Sequence, residues 1–189
     1  MERTLFIGDV HACSEELANL CQLVQPTQVY LVGDLFTKGP DPIGVWELIQ
    51  SHQMQSVLGN HDVAARQLSE NLGLPKAARK WLYGLPIRID GKGWTLVHAG
   101  IHPKGGITTQ RMATMMRYWT DGRFWFEHYS GRSMVIYGHD ARRGLQDHRP
   151  YTLGLDTGCV YGGQLTGYVL ETDELVQVKA KSVYLPVSG

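Results

Sequence analysis

The 189-residue chain is poor in cysteine, carries no net charge and has no long apolar run. Its three cysteines, Cys13, Cys21 and Cys159, form neither an even set nor a CxxC pair. That argues against a disulfide framework and leaves them as small core or edge residues in a reducing compartment. Lys plus Arg number 18 against 18 Asp plus Glu, so no general electrostatic affinity for DNA, RNA backbones or anionic membranes is expected. No stretch approaches the ~20 apolar residues of a spanning helix. The opening Met1-Glu2-Arg3-Thr4-Leu5-Phe6-Ile7-Gly8 lacks the layout of a signal peptide and reads directly into a strand. The expected location is the cytoplasm. No Pro/Gly/Ser linker or low-complexity block divides the sequence, and its length suits one domain, residues 1–189.

What is present is a repeated plan. A short apolar strand runs into a loop of Gly, Asp, Asn and His, and a helical stretch follows. Thr4–Ile7 leads through Gly8-Asp9-Val10-His11 to an amphipathic run over Ser14–Val24, with Ser14 as the expected cap. Val29–Val32 leads through Gly33-Asp34 to a helix over Ile43–Ser51. Gln55–Leu58 leads through Gly59-Asn60-His61-Asp62 to a helix ending near Asn71. Strands alternating with helices predict an α/β domain with parallel pairing and polar groups gathered at the strands' carboxyl ends. Further on, a helix is expected near Pro75–Leu82, and Ile87–Ile89 and Trp94–Val97 as a strand pair. A helix is expected over Thr108–Trp119, and strands over Ser133–Tyr137, Tyr151–Leu155, Leu165–Leu170 and Leu175–Val178.

Five polar knots each follow a predicted strand: Asp9-Val10-His11, Asp34, Asn60-His61-Asp62, His98 and His139. Gly8, Gly33, Gly59 and Gly138 precede four of them, where a glycine lets the backbone turn sharply and approach a bound ion or phosphate. One histidine at a strand end is ordinarily structural, and one Gly-Asp is ordinary turn chemistry. Together, two Asp, one Asn and three His on one edge have no core-building role, and buried without partners each would cost several kcal/mol on the order of usual desolvation penalties. Divalent cations supply the partner. A mixed oxygen and nitrogen set without Cys suits Mn²⁺, Fe or Zn²⁺. Asp9, His11 and a shared Asp34 could hold one ion, and Asp34, Asn60, His98 and His139 a second. A bridging carboxylate sets such ions ~3.5–4 Å apart, the arrangement of two-metal phosphoryl hydrolysis.

These motifs, with Leu35-Phe36-Thr37-Lys38-Gly39-Pro40 after Asp34, Ala99-Gly100-Ile101 after His98 and Gly138 before His139, stand in the order found in the phosphoprotein phosphatase family of metallophosphoesterases, which the chain resembles over residues 8–139. The resemblance implies a calcineurin-like metallophosphoesterase fold, a two-sheet β-sandwich core flanked by helices. It implies two divalent ions, Mn²⁺ first, on Asp9, His11, Asp34, Asn60, His98 and His139, and His61 as proton donor to the leaving oxygen. The first motif of the family usually ends in Gly where this chain has Ala12.

The second motif departs further. Protein phosphatases of the family carry Asp and Arg where Thr37 and Lys38 stand, the Asp supporting the catalytic histidine and the Arg gripping phosphate. Thr37 cannot be that carboxylate, and Lys38 keeps the charge without the two-pronged guanidinium. The symmetrical diadenosine tetraphosphatases, a branch of the family, also lack that Asp and favour Gly-Asn-His-Asp. Leu155-Asp156-Thr157-Gly158-Cys159-Val160-Tyr161-Gly162-Gly163-Gln164-Leu165-Thr166 looks like that branch's closing motif. Asp156 is read as orienting a ligand histidine or capping a turn. Tyr161 is read either as a stacking platform for a base or as a core-edge ring. Thr114–Tyr118 resembles the segment carrying the branch's phosphate-binding arginine, which assigns that role to Arg117, with Arg123 as fallback, beside Lys38. Longer members insert a helical cap before that arginine, and the short spacing from His102 to Trp119 predicts little cap here. The aromatics from Tyr118 to Tyr129 read as core more readily than as a wall of the site.

The expected function is hydrolysis of a phosphoanhydride in a dinucleoside polyphosphate such as diadenosine tetraphosphate, a small-molecule nucleotide, with nucleotide caps of RNA as a related substrate. The alternative is a protein serine/threonine (or tyrosine) phosphatase acting on a phosphoprotein with the same metals, and a second is a silent module that keeps the metals for structure.

Overall fold

A computed structural model describes residues 2–68, 70–102 and 122–186. Its elements in chain order are β1 (Thr4–Ile7), α1 (Ser14–Val24), β2 (Gln28–Leu31), α2 (Pro42–Ser51), β3 (Gln55–Ser56), α3 (Asn60–Leu68), α4 (Lys76–Tyr83), β4 (Arg88–Gly91) and β5 (Trp94–Val97). There follow α5 (Trp125–His128), β6 (Met134–Tyr137), β7 (Gln146–His148), β8 (Thr152–Gly154), a 3-10 turn at Cys159–Tyr161, β9 (Gln164–Val169) and β10 (Glu174–Lys179). The strands form two five-stranded sheets, ordered β10-β9-β1-β2-β3 and β4-β5-β6-β8-β7. β1, β2 and β3 pair in parallel as expected, and so do β5, β6 and β8. Antiparallel β9 and β10 complete the first sheet, and β4 and β7 edge the second, so both sheets are mixed.

Side-chain alternation explains the layering. In β1, Phe6 points between the sheets and joins Tyr30, Trp94, Leu96, Ile136, Leu153 and Tyr168 in one apolar layer. Its ring stacks 5.3 Å from Tyr30 and meets Trp94 edge-on at 4.8 Å. Leu5 and Ile7 point the other way and pack under α1 and α2 with Leu17, Leu20, Val45 and Ile49. A strand covered on both faces must be apolar throughout, which is why Thr4-Leu5-Phe6-Ile7 shows no polar alternation. The outer face of the second sheet is closed by Val97, Val135 and Tyr137 against Trp125 and Phe126 of α5. Those aromatics are therefore core rather than wall.

Local signals carry two corrections. Ser14 does not cap α1: Cys13 occupies that position without a side-chain bond, and the Ser14 hydroxyl instead meets Asp41 Oδ2 at 2.6 Å. Asp41 is the working cap, accepting the Gly44 N–H at 2.8 Å at the head of α2, with Pro42 opening the helix. The third helix ends at Leu68 rather than near Asn71. The helix expected over Thr108–Trp119 lies outside the described residues.

Candidate metal centre and active-site cleft

Parallel strands deliver their carboxyl ends to one edge of the sandwich, and the polar knots follow from them. Asp9 and His11 leave β1, Asp34 follows β2, and Asn60 and His61 open α3 just after β3. His98 leaves β5, His139 leaves β6, and Asp156 follows β8. Left-handed backbone is concentrated there: His11, Ala12, Asp34, Lys38 and His139 have φ of 44°, 58°, 56°, 73° and 78°. Such non-glycine outliers mark sites where the surroundings over-determine the conformation. Ala12 thus occupies a turn that suits glycine. Two glycines allow close approach. A Cβ on Gly138 would fall 1.9 Å from Asp9 Oδ1, and one on Gly59 would fall 2.1 Å from Asp34 Oδ1.

Asp34 lies at the centre. One carboxylate oxygen is 3.6 Å from His98 Nε2 and the other 3.6 Å from His11 Nε2, so a single residue faces both halves of the ligand set. Oδ1 also accepts the His61 backbone N–H at 2.8 Å. Asp9, Asp34 and His98 bring donor atoms within 4.8 Å of one another, all buried. His139 donates its backbone N–H to Asp9 Oδ1 at 3.1 Å. Asn60 Oδ1 lies 2.9 Å from His98 Nε2 and 2.8 Å from His139 Nδ1. The six residues expected to ligate metal are brought together.

Three observations test whether cations fit. First, His98 Nδ1 must carry a hydrogen to bond the Val32 carbonyl at 2.8 Å. Burial and then Lys38 push His98 down to about 4; the imidazole is neutral at pH 7 and its Nε2 lone pair faces the Asn60 oxygen. With Nδ1 engaged by Val32, that Nε2 lone pair and the Asn60 oxygen are placed where both could ligate one cation. Second, burial raises Asp34 and Asp156 to about 7. Asp9 is also raised, by burial and then by Asp156 and Asp34. Three buried carboxyls crowd one floor, a cost that positive charge offsets. Third, Lys38 already directs its ammonium to His11 Nε2 at 3.2 Å. Oxygen and imidazole donors without thiolate suit a divalent cation.

The cleft over this floor has a volume of about 660 Å³ and includes His61, Lys38, Asp156 and Tyr161. The His61 imidazole has no hydrogen bond among the described residues. Burial, then Lys38 and His98, lower it to about 4. Thr37 is buried with its hydroxyl unpartnered, so it gives His61 no support. Asp62, next to it, turns away and accepts the N–H groups of Asp34, Leu35 and Gly59. Asp156 Oδ1 accepts the Gly158 N–H at 3.1 Å, which is the turn-capping one of the two roles read for it. Tyr161 lies on the cleft wall with Lys38 Nζ 5.4 Å from its ring centre.

Arg117 lies outside the described residues. Arg123 is exposed and does not belong to the described lining of the cleft. The structure adds one cation that the sequence reading passed over. Arg142, three residues after His139 in the same loop, lines the cleft and is exposed, whereas its neighbour Arg143 pairs with Asp140 and covers the Phe124 ring. Its nearness to the Gly-His motif was the available signal.

Residues 2–178 match the family model described as calcineurin-like phosphoesterase. A symmetrical bis(5'-nucleosyl)-tetraphosphatase of Methylobacillus flagellatus is 27% identical over 264 residues, covering 93% of this chain and 94% of that protein. That span exceeds the 189 residues of the chain, so the relative carries inserted segments. Bis(5'-nucleosyl)-tetraphosphatase PrpE [asymmetrical] of Oceanobacillus iheyensis is 28% identical over 236 residues, with 95% and 93% covered. A crystal structure described as "a putative diadenosine tetraphosphatase" superposes with a TM-score of 0.87 at 32% identity, covering 95% of this chain and 94% of that one.

Proposed function

The chain belongs to the calcineurin-like phosphoesterase family, and from that premise we propose that it hydrolyses the phosphoanhydride chain of dinucleoside polyphosphates, diadenosine tetraphosphate first among them. One observation carries the reading: the Asp34 carboxylate presents one oxygen to His98 and the other to His11, each at 3.6 Å, so it stands between the two halves of the expected ligand set and could serve both. Asp9, His11 and Asp34 would hold one ion, and Asp34, Asn60, His98 and His139 the other, with Mn²⁺ the favoured metal. When bound, such a pair acidifies water and neutralises phosphate oxygens.

The remaining roles fall to the chain. Lys38 and Arg142 hold the polyphosphate oxygens, with Arg117 a third cation by the resemblance. Water's oxygen forms a bond to phosphorus as the bridging P–O bond breaks, and the leaving oxygen keeps the electron pair. His61 passes it a proton. A polyanion beside His61 acts to raise its pKa, the direction the donor role requires.

The test is turnover with Mn²⁺ of diadenosine tetraphosphate against a phosphoserine peptide, with products separated. Two molecules of adenosine diphosphate are expected, from attack at the central bridge. Adenosine triphosphate plus monophosphate would replace the symmetrical cut by the asymmetrical one. Faster release of phosphate from the peptide would overturn the reading in favour of a protein phosphatase. No turnover of either, nor of an aryl phosphate, would leave the silent module.

A further inference from the structure

The chain beyond β10 is fastened to the cleft. Ala180 donates its N–H to the Gly163 carbonyl at 3.0 Å, and Tyr184 and Leu185 both donate to the Val160 carbonyl, at 3.1 and 3.0 Å. Glu16, a buried carboxylate of α1, accepts the Lys181 N–H at 2.9 Å and the Tyr184 hydroxyl at 2.8 Å through one oxygen. Val183 packs on Gly162, where a Cβ would lie 2.6 Å from Val183 Cγ2. These ties bind residues 180–185 to the 158–163 loop, and so bring Leu185 and Pro186 to the rim of the same cleft whose floor holds Asp34 and His61.

That rim has two characters. Lys38 and Arg142 are cationic, whereas Tyr161, Leu185 and Pro186 are apolar. Leu185 is 37% exposed and takes no part in the apolar core clusters among the described residues, so its backbone ties explain its place but not its side chain. Apolar surface held open next to a charged floor favours a ligand that is anionic at one end and flat and apolar at the other. We propose that Leu185 and Pro186, with Tyr161, form the wall against which a nucleobase of the substrate lies, so that the C-terminal segment is a specificity element of the site. The inference rests on the dinucleoside polyphosphate reading above. It gives the charged and apolar halves of the rim separate tasks: Lys38 and Arg142 take the phosphates, and the wall takes the base.

The experiment compares wild type, Leu185→Ala and Leu185→Asn, all loaded with Mn²⁺, on diadenosine tetraphosphate and on inorganic tetraphosphate, which has the anhydrides but no base. The expected result is a rise in KM for the dinucleotide of about 10-fold in Leu185→Asn, from loss of apolar contact, with a smaller rise in Leu185→Ala. The ratio of kcat/KM values, dinucleotide over inorganic tetraphosphate, falls with it. Using this ratio cancels any loss of folded protein. An unchanged ratio in both variants, with wild type active on the dinucleotide, overturns the wall and leaves the proposed function standing. A wild type that cleaves inorganic tetraphosphate but not the dinucleotide overturns both.

Discussion

The Asp62 carboxylate accepts the backbone N–H of Asp34 at 2.8 Å. The same carboxylate takes the N–H groups of Leu35 and Gly59, both at 2.9 Å, and is fully buried. It thus fixes the turn that presents Asp34 and ties that turn to the glycine before Asn60. In Asp62→Asn, one oxygen acceptor becomes an NH₂ donor facing N–H groups. An orphaned buried donor costs about 1–3 kcal/mol, so the unfolding free energy should fall by about 2–4 kcal/mol in a urea titration. A loss below about 0.5 kcal/mol, the scale of a surface change, would mean that the turn holds itself.

His61→Asn should retain metal and lose rate. The imidazole lies on the cleft wall, and residue 61 is tied to Asp34 through its backbone N–H, which asparagine keeps. Turnover is expected to fall by ~10²–10⁴, the worth of general acid catalysis. Mn²⁺ content by elemental analysis should match wild type, and the alkaline limb of the kcat profile should disappear. Wild-type rates would assign the proton to another group.

Metal affinity should rise with pH through neutrality. Burial holds Asp34 at about 7 in the metal-free protein, and Asp9 is raised as well, so both carry protons at lower pH that a cation must displace. The opposite sign holds for His11 and His98, which burial depresses. They are neutral well below pH 6.5 and have no proton to release. Calorimetric titration with Mn²⁺ should give affinity falling about 10-fold per pH unit below 7 for each proton displaced, with protons released to the buffer. Affinity constant between pH 5.5 and 8 would contradict the buried-carboxyl account.

Gly138→Ala should harm the site without replacing any of the proposed ligands. The new methyl would overlap Asp9 Oδ1 at 1.9 Å and Val32 Cγ2 at 2.6 Å. Overpacking of this kind costs about 1–3 kcal/mol and displaces the more movable carboxylate. Mn²⁺ bound per chain at fixed free metal should fall below wild type. Unaltered stoichiometry would show that Asp9 has room to move.

Much of this centre was legible in the sequence because the strands are buried on both faces. Phe6 faces one layer while Leu5 and Ile7 face another, so β1 is an uninterrupted apolar run, and the polar residues just beyond it stand out. The glycines at 59 and 138 were legible for a related reason, since each marks backbone pressed against a carboxylate. Less was visible where structure depends on distant contacts. β7 is Gln146-Asp147-His148, a polar edge strand with no apolar period, and α5 spans only four residues. Ser14 looks like a cap until Asp41 arrives from 27 residues away. Arg142 and Leu185 meet over one cleft only because the 139–142 loop and the tail after β10 converge there, a pairing that neither segment announces alone.

The proposed ligands are divided between the layers. Asp9, Asp34 and Asn60 follow strands of the first sheet, and His98 and His139 follow strands of the second. Bound ions would therefore act as rivets through the open seam of the sandwich, whose halves are joined deeper in by the apolar layer around Phe6. Slippage of one half past the other would pull the proposed ligand set apart, so stiffness of the scaffold and integrity of the candidate site rise and fall together.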